Sequence, residues 1–578
     1  MTNKYLLLFL ILFSSFSNFA QTYITNVTIV DVEKHKLVPN QTIVIHKDLI
    51  SNIKNSKQLK IPTNATIIDG TGKYVSPGLT DAHLHFFQNG GLYTRPDVVD
   101  FRKDVPYQNE IDYTNQQMKK VLQRYIQNGI TNVIDLGATN NLLKKRSLFK
   151  DQNDAPSIYM TGPLLGTYEP PVYSDLNNDD PFILGKTAED GVKMVQELLP
   201  LHPDLIKIYY VVEREGSDIE TTAYKYLPIV KTMIDEAHKN NLKVAVHASQ
   251  RITAQLAVES GADFLVHSVE DEVLKDDFIA LMKKNKTILS PTLIVNRGYV
   301  NTFGQTLELT DHELTKSDPY QLGTLLDLKH LSDTLLINGY KRWANSAKET
   351  SLITMDSISM VNLKKLSDAG VLIATGSDAG NIGTLHASSY LAELQAMHKS
   401  GMSNWQILTA STLNGAKILG KENEFGTVSI GKKANIILLD ANPIDNINNL
   451  SKINRVINNG FVFNPDDLIK DGPTDLVQRQ LNAYNLRNID AFLKSYADDV
   501  EVYNYPNKLL FKGKEKMQKS YSHLFKDTPN LHSELVERIF KGNIVIDKVQ
   551  VQIKDKLSEV VAIYHLENNK IKKVYFIQ

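Results

Sequence analysis

Two histidines separated by one leucine are the first residues of this sequence whose types and spacing could do chemistry. They are His83 and His85 in the segment DAHLHFF. Alternate side chains of a β-strand project from the same face, so these two imidazoles would point the same way and could bind a metal ion. An isolated pair of this kind is equally compatible with two surface histidines on a polar edge. The metal hypothesis therefore requires further ligands elsewhere in the chain.

Four further candidate ligands lie within or directly after other short apolar runs. In chain order they are Lys207, His247, His267 and Asp378. The runs are rich in β-branched residues, and most are followed by an amphipathic pattern such as TAQLAVESG, which indicates strands that alternate with helices. From KYVSPGL to VLIATGSDA there are eight such runs. Eight repeated units predict an α/β fold with a (β/α)8, TIM-like barrel, in which functional residues lie at the C-terminal ends of the strands.

Lys207 needs a separate explanation, because it lies inside the apolar segment DLIKIYY, which should be a buried strand. A buried ammonium group is unfavourable unless it is paired or neutralised. One interpretation is an ion pair with Asp135 or another acid. The other is carboxylation of the amine by CO2, which produces an anion able to bridge two metal ions. The surrounding histidines favour carboxylation.

These segments, with PGLTDAHLHF, GITNVIDLG and TGSDAGNIGTLH, resemble the metal-dependent amidohydrolase superfamily. Within it they are most similar to the imidazolonepropionase-like and Xaa-Pro-dipeptidase-like branch. The resemblance implies a barrel that carries a composite β-sandwich made from both chain flanks. It also implies two divalent metal ions, with zinc preferred for nitrogen and oxygen ligands and manganese, iron or cobalt as alternatives. The implied ligands are His83, His85, Lys207, His247, His267 and Asp378.

The resemblance also implies the reaction. A hydroxide and the carboxylated Lys207 would bridge the metals, while Asp378 would take a proton from that hydroxide and deliver it to the leaving group. The expected reaction is hydrolysis of an amide-type C–N bond in a dipeptide or cyclic amide. A lactone or ester hydrolase stays open as an alternative, as does a non-catalytic binding protein with a relic metal site. Substrate contacts are predicted at Tyr209, for which simple packing is equally compatible, and at Asn381 and His386 in the loop after Asp378.

The chain is predicted to contain several domains. Residues 21–75 and 416–468 would form the two parts of the sandwich, and residues 76–415 the barrel. An interval of about 75 residues between TLIV and VLIATG is longer than one helix needs, which predicts a lid or binding element. NPDDLIKDGPTD predicts a linker crossed by few contacts. Residues 474–578 resemble the α+β, cone-shaped SnoaL-like (ketosteroid-isomerase-like) fold, which suggests a small-molecule pocket or a contact in a homo-oligomer.

The N-terminus and the composition bear on location and partners. Lys4 precedes the apolar run YLLLFLILF and then SSFSNFAQT, which predicts a signal peptide over residues 1–20, cut after Ala20, and a periplasmic or secreted protein. An uncleaved anchor is the alternative. A net charge of −1 without a strongly basic stretch argues against nucleic-acid partners. The absence of cysteine excludes disulfides and thiolate ligands. We therefore expect a small-molecule substrate and no stable membrane insertion.

Overall fold

The computed structural model describes residues 21–94, 99–150, 152–173, 176, 180–212, 218–329, 331–345 and 347–577, without the side chains of residues 347–355. The predicted signal peptide lies outside these described residues. Within the described part of the chain, no helix is both long and apolar enough to cross a membrane.

The first flank of the chain folds as five strands. They are β1 (Thr22–Asp31), β2 (Lys36–His46), β3 (Leu49–Asn55), β4 (Thr66–Asp69) and β5 (Tyr74–Pro77). β1, β2 and β3 form an antiparallel meander, while β4 and β5 both run parallel to β1. Ile24 and Ile43 face each other across β1 and β2 and are both fully buried. Such cross-strand apolar pairs fix the register, because a shift by one residue would expose them.

The central region alternates parallel strands with helices. Its strands are β6 (Leu79–Leu84), β7 (Ile130–Asp135), β8 (Ser157–Met160), β9 (Leu164–Gly166), β10 (Phe182–Leu184), β11 (Ile206–Tyr209), β12 (Val244–His247), β13 (Phe264–Val266) and β14 (Ile288–Ser290). Helices α1 to α6 are Tyr107–Gln127, Asn140–Lys145, Ala188–Leu198, Ile219–Lys239, Arg251–Glu259 and Asp276–Asn285. β6–β7–β8 form one parallel sheet, and β10–β9–β11–β12–β13–β14 form another.

Two predicted strands differ from expectation. The run SIYMTGPL is split into β8 and β9, because the backbone turns at Gly162, which has a φ of +77°. VLIATGSDA is not a regular strand, since Asp378 has a φ of +55°. The segment nevertheless touches both sheets: Ala374 N donates to Leu289 O of β14 (2.8 Å), and Asp378 N donates to His83 O of β6 (2.7 Å). It links the two parallel sheets in a TIM-barrel-type arrangement.

The long interval after β14 is helical rather than a loop. This helical insertion, residues 295–370, contains α7 (Val295–Gly304), α8 (Asp311–Lys316), α9 (Pro319–Leu325), α10 (Thr334–Ala344) and α11 (Ala347–Asp368). Thr310 and Asp333 accept hydrogen bonds from the first turns of α8 and α10, which explains where these helices begin. Three helices follow the insertion: α12 (Tyr390–Lys399), α13 (Asn404–Ala410) and α14 (Leu413–Ile418).

The second flank returns to the first and completes its sheet. It consists of β15 (Ile436–Leu439), β16 (Ile453–Asn458), β17 (Phe461–Phe463) and the short helix α15 (Pro465–Leu468). β15 pairs antiparallel with β5, so the strand order is β17–β16–β15–β5–β1–β2–β3, with β4 beside β1. The two flanks therefore form one composite sheet that encloses its own apolar core.

Residues 473–577 form the C-terminal domain. It contains α16 (Pro473–Asn485), α17 (Ile489–Lys494), β18 (Tyr496–Asn504), β19 (Lys508–Lys512), α18 (Lys514–Asp527), β20 (His532–Lys541), β21 (Ile544–Ile553), β22 (Lys556–Glu567) and β23 (Lys570–Ile577). The six strands form one sheet in the order β19–β18–β23–β22–β21–β20. Its interior is packed with aromatic rings; Phe492 lies 4.6 Å from Tyr521 and 4.9 Å from Tyr496 between ring centroids.

The expectation that few contacts cross the linker is wrong. Leu322 of α9 and Val477 of α16 belong to the same buried core, which spans the helical insertion and the C-terminal domain. Arg479 donates to the carbonyl oxygens of Leu314 (2.9 Å) and Ser317 (3.2 Å). The C-terminal domain is thus anchored to the helical insertion by apolar packing and by hydrogen bonds.

Candidate metal centre

Three predicted ligands converge at the C-terminal end of β6. His83 is the penultimate residue of β6, His85 follows the strand, and Asp378 comes from the linking segment. The Nε2 atoms of the two histidines are 3.2 Å apart, and Asp378 Oδ1 lies 3.2 Å from one and 3.0 Å from the other. The ligand atoms of these three residues all lie within 4.8 Å of one another, an arrangement that can hold a metal ion.

Two further histidines adjoin this group. His247 ends β12 and His267 follows β13, so parallel pairing of the two strands brings them together. Their ring centroids are 4.1 Å apart, and the His83 ring lies 5.1 Å from that of His267. His267 Nδ1 is 2.7 Å from the hydroxyl oxygen of Thr292 and 3.9 Å from Asp378 Oδ2. The four histidines and the aspartate therefore line one cavity.

Lys207 projects into the same cavity from β11 and is 1% exposed. Among the described residues, no group forms a hydrogen bond with its Nζ atom. No ion pair among the described residues joins Lys207 to Asp135, whose Oδ2 accepts the backbone N–H of Phe86 (3.3 Å). Burial lowers the pKa of Lys207 from 10.5 to about 7, and the nearby negative charge of Asp378 only partly opposes this.

The electrostatics of the cavity suit metal ligation. Burial holds the pKa of His83, His247 and His267 well below the ordinary histidine range, so their rings are neutral, the form that binds metals. Burial by itself would raise the pKa of Asp378. The hydrogen bond from His85 and the neighbouring positive charges outweigh that effect and lower it, which keeps the carboxylate charged.

The backbone is strained at this site. His267, Thr292 and Asp378 have φ values of +75°, +47° and +55°, in the left-handed region that favours glycine. Such conformations persist only where surrounding contacts hold them, and they cluster at functional sites.

The cavity has a volume of about 370 Å3. Its lining includes the predicted substrate-contact residues Tyr209 and Asn381. The Tyr209 ring lies 4.8 Å from that of His247. Asn381 Nδ2 donates to the backbone oxygen of Asp378 (2.9 Å), and its Oδ1 accepts the hydroxyl of Tyr299 (2.9 Å). Asn381 therefore supports the loop that carries Asp378.

The structure gives no support for a substrate contact at His386. Its Nδ1 is 2.8 Å from the Tyr125 hydroxyl and its Nε2 is 2.8 Å from the backbone oxygen of Gln88. Both ring nitrogens are thus engaged inside the protein, and His386 is not among the described residues that line the cavity.

Several further residues that were not predicted from the sequence also lie at this cavity. Gln88, Tyr173, Ser249, Glu270, Thr292, Asn296 and Tyr299 also line the cavity. For Ser249 and Thr292 a usable signal existed, because each lies two residues beyond the end of a strand. The others come from loops and from α7, whose paths no local pattern reveals.

A strand–helix arrangement of TIM-barrel type, with histidines and an aspartate converging at strand ends, defines a class of metal-centred enzymes. The chain belongs to the amidohydrolase family: the profile described as "Amidohydrolase family" matches residues 74–472. Members of this family are hydrolases of carbon–nitrogen bonds that typically bind divalent metals. A second profile, "SnoaL-like domain", matches residues 477–574.

Individual relatives agree with this family. An imidazolonepropionase from Parabacteroides distasonis is 33% identical over 116 residues, a match that covers 19% of this chain and 27% of that relative. A 5-methylthioadenosine/S-adenosylhomocysteine deaminase from Carboxydothermus hydrogenoformans is 23% identical over 478 residues, 79% of this chain and 93% of that relative. Among solved structures, a Xaa-Pro dipeptidase with bound methionine in its active site superimposes with a TM-score of 0.58 at 20% identity, covering 77% of this chain and all of that one. At this identity the superposition shows the fold alone.

Proposed function

We propose that the protein is a metal-dependent hydrolase of amide-type C–N bonds in a small molecule, a dipeptide or a cyclic amide. The observation that carries the proposal is the convergence of His83, His85 and Asp378 in one cavity. Family membership supports the bond type. The names of the relatives support the choice of dipeptides and cyclic amides as the first substrates to test.

The residues present fit two divalent cations, with zinc proposed first. His83, His85 and Asp378 would hold one ion, and His247 and His267 the other, with Lys207 between them. Among the described residues Lys207 Nζ has no hydrogen-bond partner, and its pKa, lowered to about 7, leaves a substantial share of the amine neutral near pH 7. Both observations support this arrangement, because only the neutral amine attacks CO2. The resulting carbamate would supply the negative charge that two adjacent cations require.

Bound divalent metal supplies Lewis acidity, which lowers the pKa of water toward neutrality and polarises the scissile carbonyl group. The protein contributes the proton transfer and the enclosure. Asp378, held as a carboxylate, accepts a proton from the attacking water and returns it to the leaving nitrogen. Tyr209 lines the cavity that the substrate would enter, and Asn381 steadies the backbone of Asp378.

We also propose the finer architecture and the location. The barrel over residues 76–415 is a closed (β/α)8 barrel in which residues 371–379 act as the eighth strand. Their hydrogen bonds to β14 and to β6 support this. Sandwich parts over residues 21–75 and 416–468, a SnoaL-like domain over 474–578, and a signal peptide over 1–20 complete the proposal. N-terminal sequencing of protein from the native host tests the signal peptide, for which Gln21 is the expected first residue.

The test combines metal analysis with turnover of matched amides, esters and lactones. We expect about two metals per chain and preferential turnover of an amide. Asp378→Asn should lower the rate by roughly 10^2-fold or more, because it removes the proton acceptor. Faster turnover of esters or lactones across the panel would favour the ester-hydrolase alternative. Two bound metals without any turnover would favour a binding protein.

A further inference from the structure

Thr292 adopts a conformation that its residue type disfavours. It is β-branched and buried, yet its φ is +47°. Thr292 lies two residues beyond the end of β14, directly after Pro291 and before the turn that leads into α7. The contact that the conformation secures is the one between Thr292 Oγ1 and His267 Nδ1, at 2.7 Å. Side-chain partners of this kind set the tautomer and ring orientation of metal-binding histidines.

A buried carboxyl group holds the backbone on the far side of Thr292. Glu393 of α12 is 0% exposed, and its two oxygens accept the backbone N–H groups of Leu293 (3.0 Å) and Ile294 (3.2 Å). Burial raises the pKa of Glu393 to about 8, and the two N–H groups oppose this shift without cancelling it. These two N–H groups are the ones immediately after the strained residue, so Glu393 restrains the segment that carries Thr292.

The backbone around His267 is tied to the same segment. His267 N donates to Ser290 O (2.9 Å), and Ser268 N donates to Pro291 O (3.2 Å). Displacing the segment around Thr292 would therefore disturb both the ring and the main chain of His267. The other neighbours of the His267 ring are His247 (4.1 Å between centroids), His83 (5.1 Å between centroids) and Asp378, whose Oδ2 lies 3.9 Å from His267 Nδ1. Among the described residues, none of these three approaches Nδ1 as closely as the Thr292 hydroxyl does.

We propose that Thr292 and Glu393 are positioning residues for His267: Glu393 fixes the strained backbone after β14, and Thr292 thereby fixes the ring of His267. The inference rests on the proposed function, because it assigns His267 to a metal. Neither residue needs to touch the substrate or the metal. The two residues act in series, so the effect of Glu393 passes through Thr292.

The test compares Thr292→Val, which keeps the β-branched shape and loses the hydroxyl, with Thr292→Ser, which keeps the hydroxyl. The readout is metal affinity, measured with zinc against a competing chelator on the full-length protein. We expect Thr292→Val to weaken the zinc affinity tenfold or more, and Thr292→Ser to keep it within about threefold of the parent. Thr302→Val is the matched control, since the hydroxyl of this buried threonine has no hydrogen-bond partner among the described residues.

A double-variant cycle tests the serial arrangement. Glu393→Gln leaves one side-chain oxygen that can accept a hydrogen bond from Leu293 N or Ile294 N. We therefore expect a smaller loss of zinc affinity than in Thr292→Val. In the Thr292→Val background, Glu393→Gln should cause no further loss. Three results would each overturn the proposal. The first is a zinc affinity of Thr292→Val equal to that of the parent, and the second is an equal loss in Thr292→Val and Thr292→Ser. The third is a double variant whose loss is the sum of the two single losses. If Glu393→Gln does not fold, the Thr292 comparison still decides it. A parent protein that binds no zinc would refute the proposed function instead.

Discussion

Lys207→Met should stabilise the metal-free protein and abolish the two-metal state. Methionine has nearly the same length as lysine and places no charge in the cavity. Burial lowers the pKa of Lys207 from 10.5 to about 7. The unfolded chain therefore binds this proton more tightly than the folded one, and the folded protein is penalised at neutral pH and below. The difference between the unfolded and folded pKa values corresponds to a destabilisation of roughly 3 to 5 kcal/mol, which the substitution removes.

The sign of the effect changes with pH in a defined way. The penalty is complete below about pH 7 and disappears as the pH rises toward 10.5, where the unfolded lysine also loses its proton. The advantage of Lys207→Met should therefore shrink from pH 7 to pH 10. In the metal-loaded state the parent should instead be more stable than the variant, because the parent gains the binding free energy of its ions and the variant does not.

Calorimetric unfolding of chelated and metal-loaded protein, with metal content by mass spectrometry, measures both effects. Lys231→Met is the matched control. The Lys231 side chain is 56% exposed, and within the described part of the chain its ion-pair partner is Asp235 on the same helix. The stability of this variant should therefore stay within about 0.5 kcal/mol of the parent. A chelated Lys207→Met protein that melts below the parent, or one that retains two metals, would refute the reasoning.

Other regions of the chain give independent predictions. Removal of residues 473–577 should lower the melting temperature and cause aggregation in light scattering, because Leu322 and Leu325 lose their buried partners; an unchanged, monodisperse protein would contradict this. Burial raises the pKa of Glu110 from 4.5 to about 7. The folded protein therefore binds this proton more tightly than the unfolded chain does, and the contribution of Glu110 to stability falls as the pH rises through that range. Glu110→Gln should therefore melt higher than the parent at pH 8 and equally at about pH 4 or below, where Glu110 is protonated in both the folded and the unfolded chain. His386→Asn should lower the melting temperature without raising KM, whereas a KM effect at parental stability would restore a substrate role.

Residues at strand ends were the most predictable part of the site. His247 and His267 follow buried apolar runs, and parallel strands bring such ends to one edge, so local pattern alone predicts that they meet. Thr292 and Glu393 were not predicted. The position of Thr292, two residues beyond the end of β14, was a usable signal for a cavity-lining residue, but the sequence does not reveal its backbone angle or its contact with His267. Glu393 lies on a helix 100 residues further along the chain, where a glutamate usually faces solvent.

The fold was predictable from the sequence where the apolar pattern of strands and helices is strong. It was not predictable where the backbone angle of a single residue determines the path of the chain. The strands β11, β12 and β13 lie within the predicted apolar runs. The break between β8 and β9 depends on one glycine, and the irregular path of residues 371–379 depends on Asp378. The docking of the C-terminal domain was missed because Arg479, which a polar composition would place in solvent, instead donates to two carbonyl oxygens of the helical insertion.

The composite sheet has a consequence for the order in which the chain can fold during synthesis. β5 pairs with β15, and about 360 residues separate the two strands along the chain. At 5–20 residues per second, a ribosome needs roughly 20 to 70 s to deliver the second strand after the first. Throughout that time one edge of β5 has exposed N–H and C=O groups, the kind of edge that pairs with other chains. A nascent chain halted before residue 436 should therefore depend on chaperones, because this sheet can close only after that residue has been delivered.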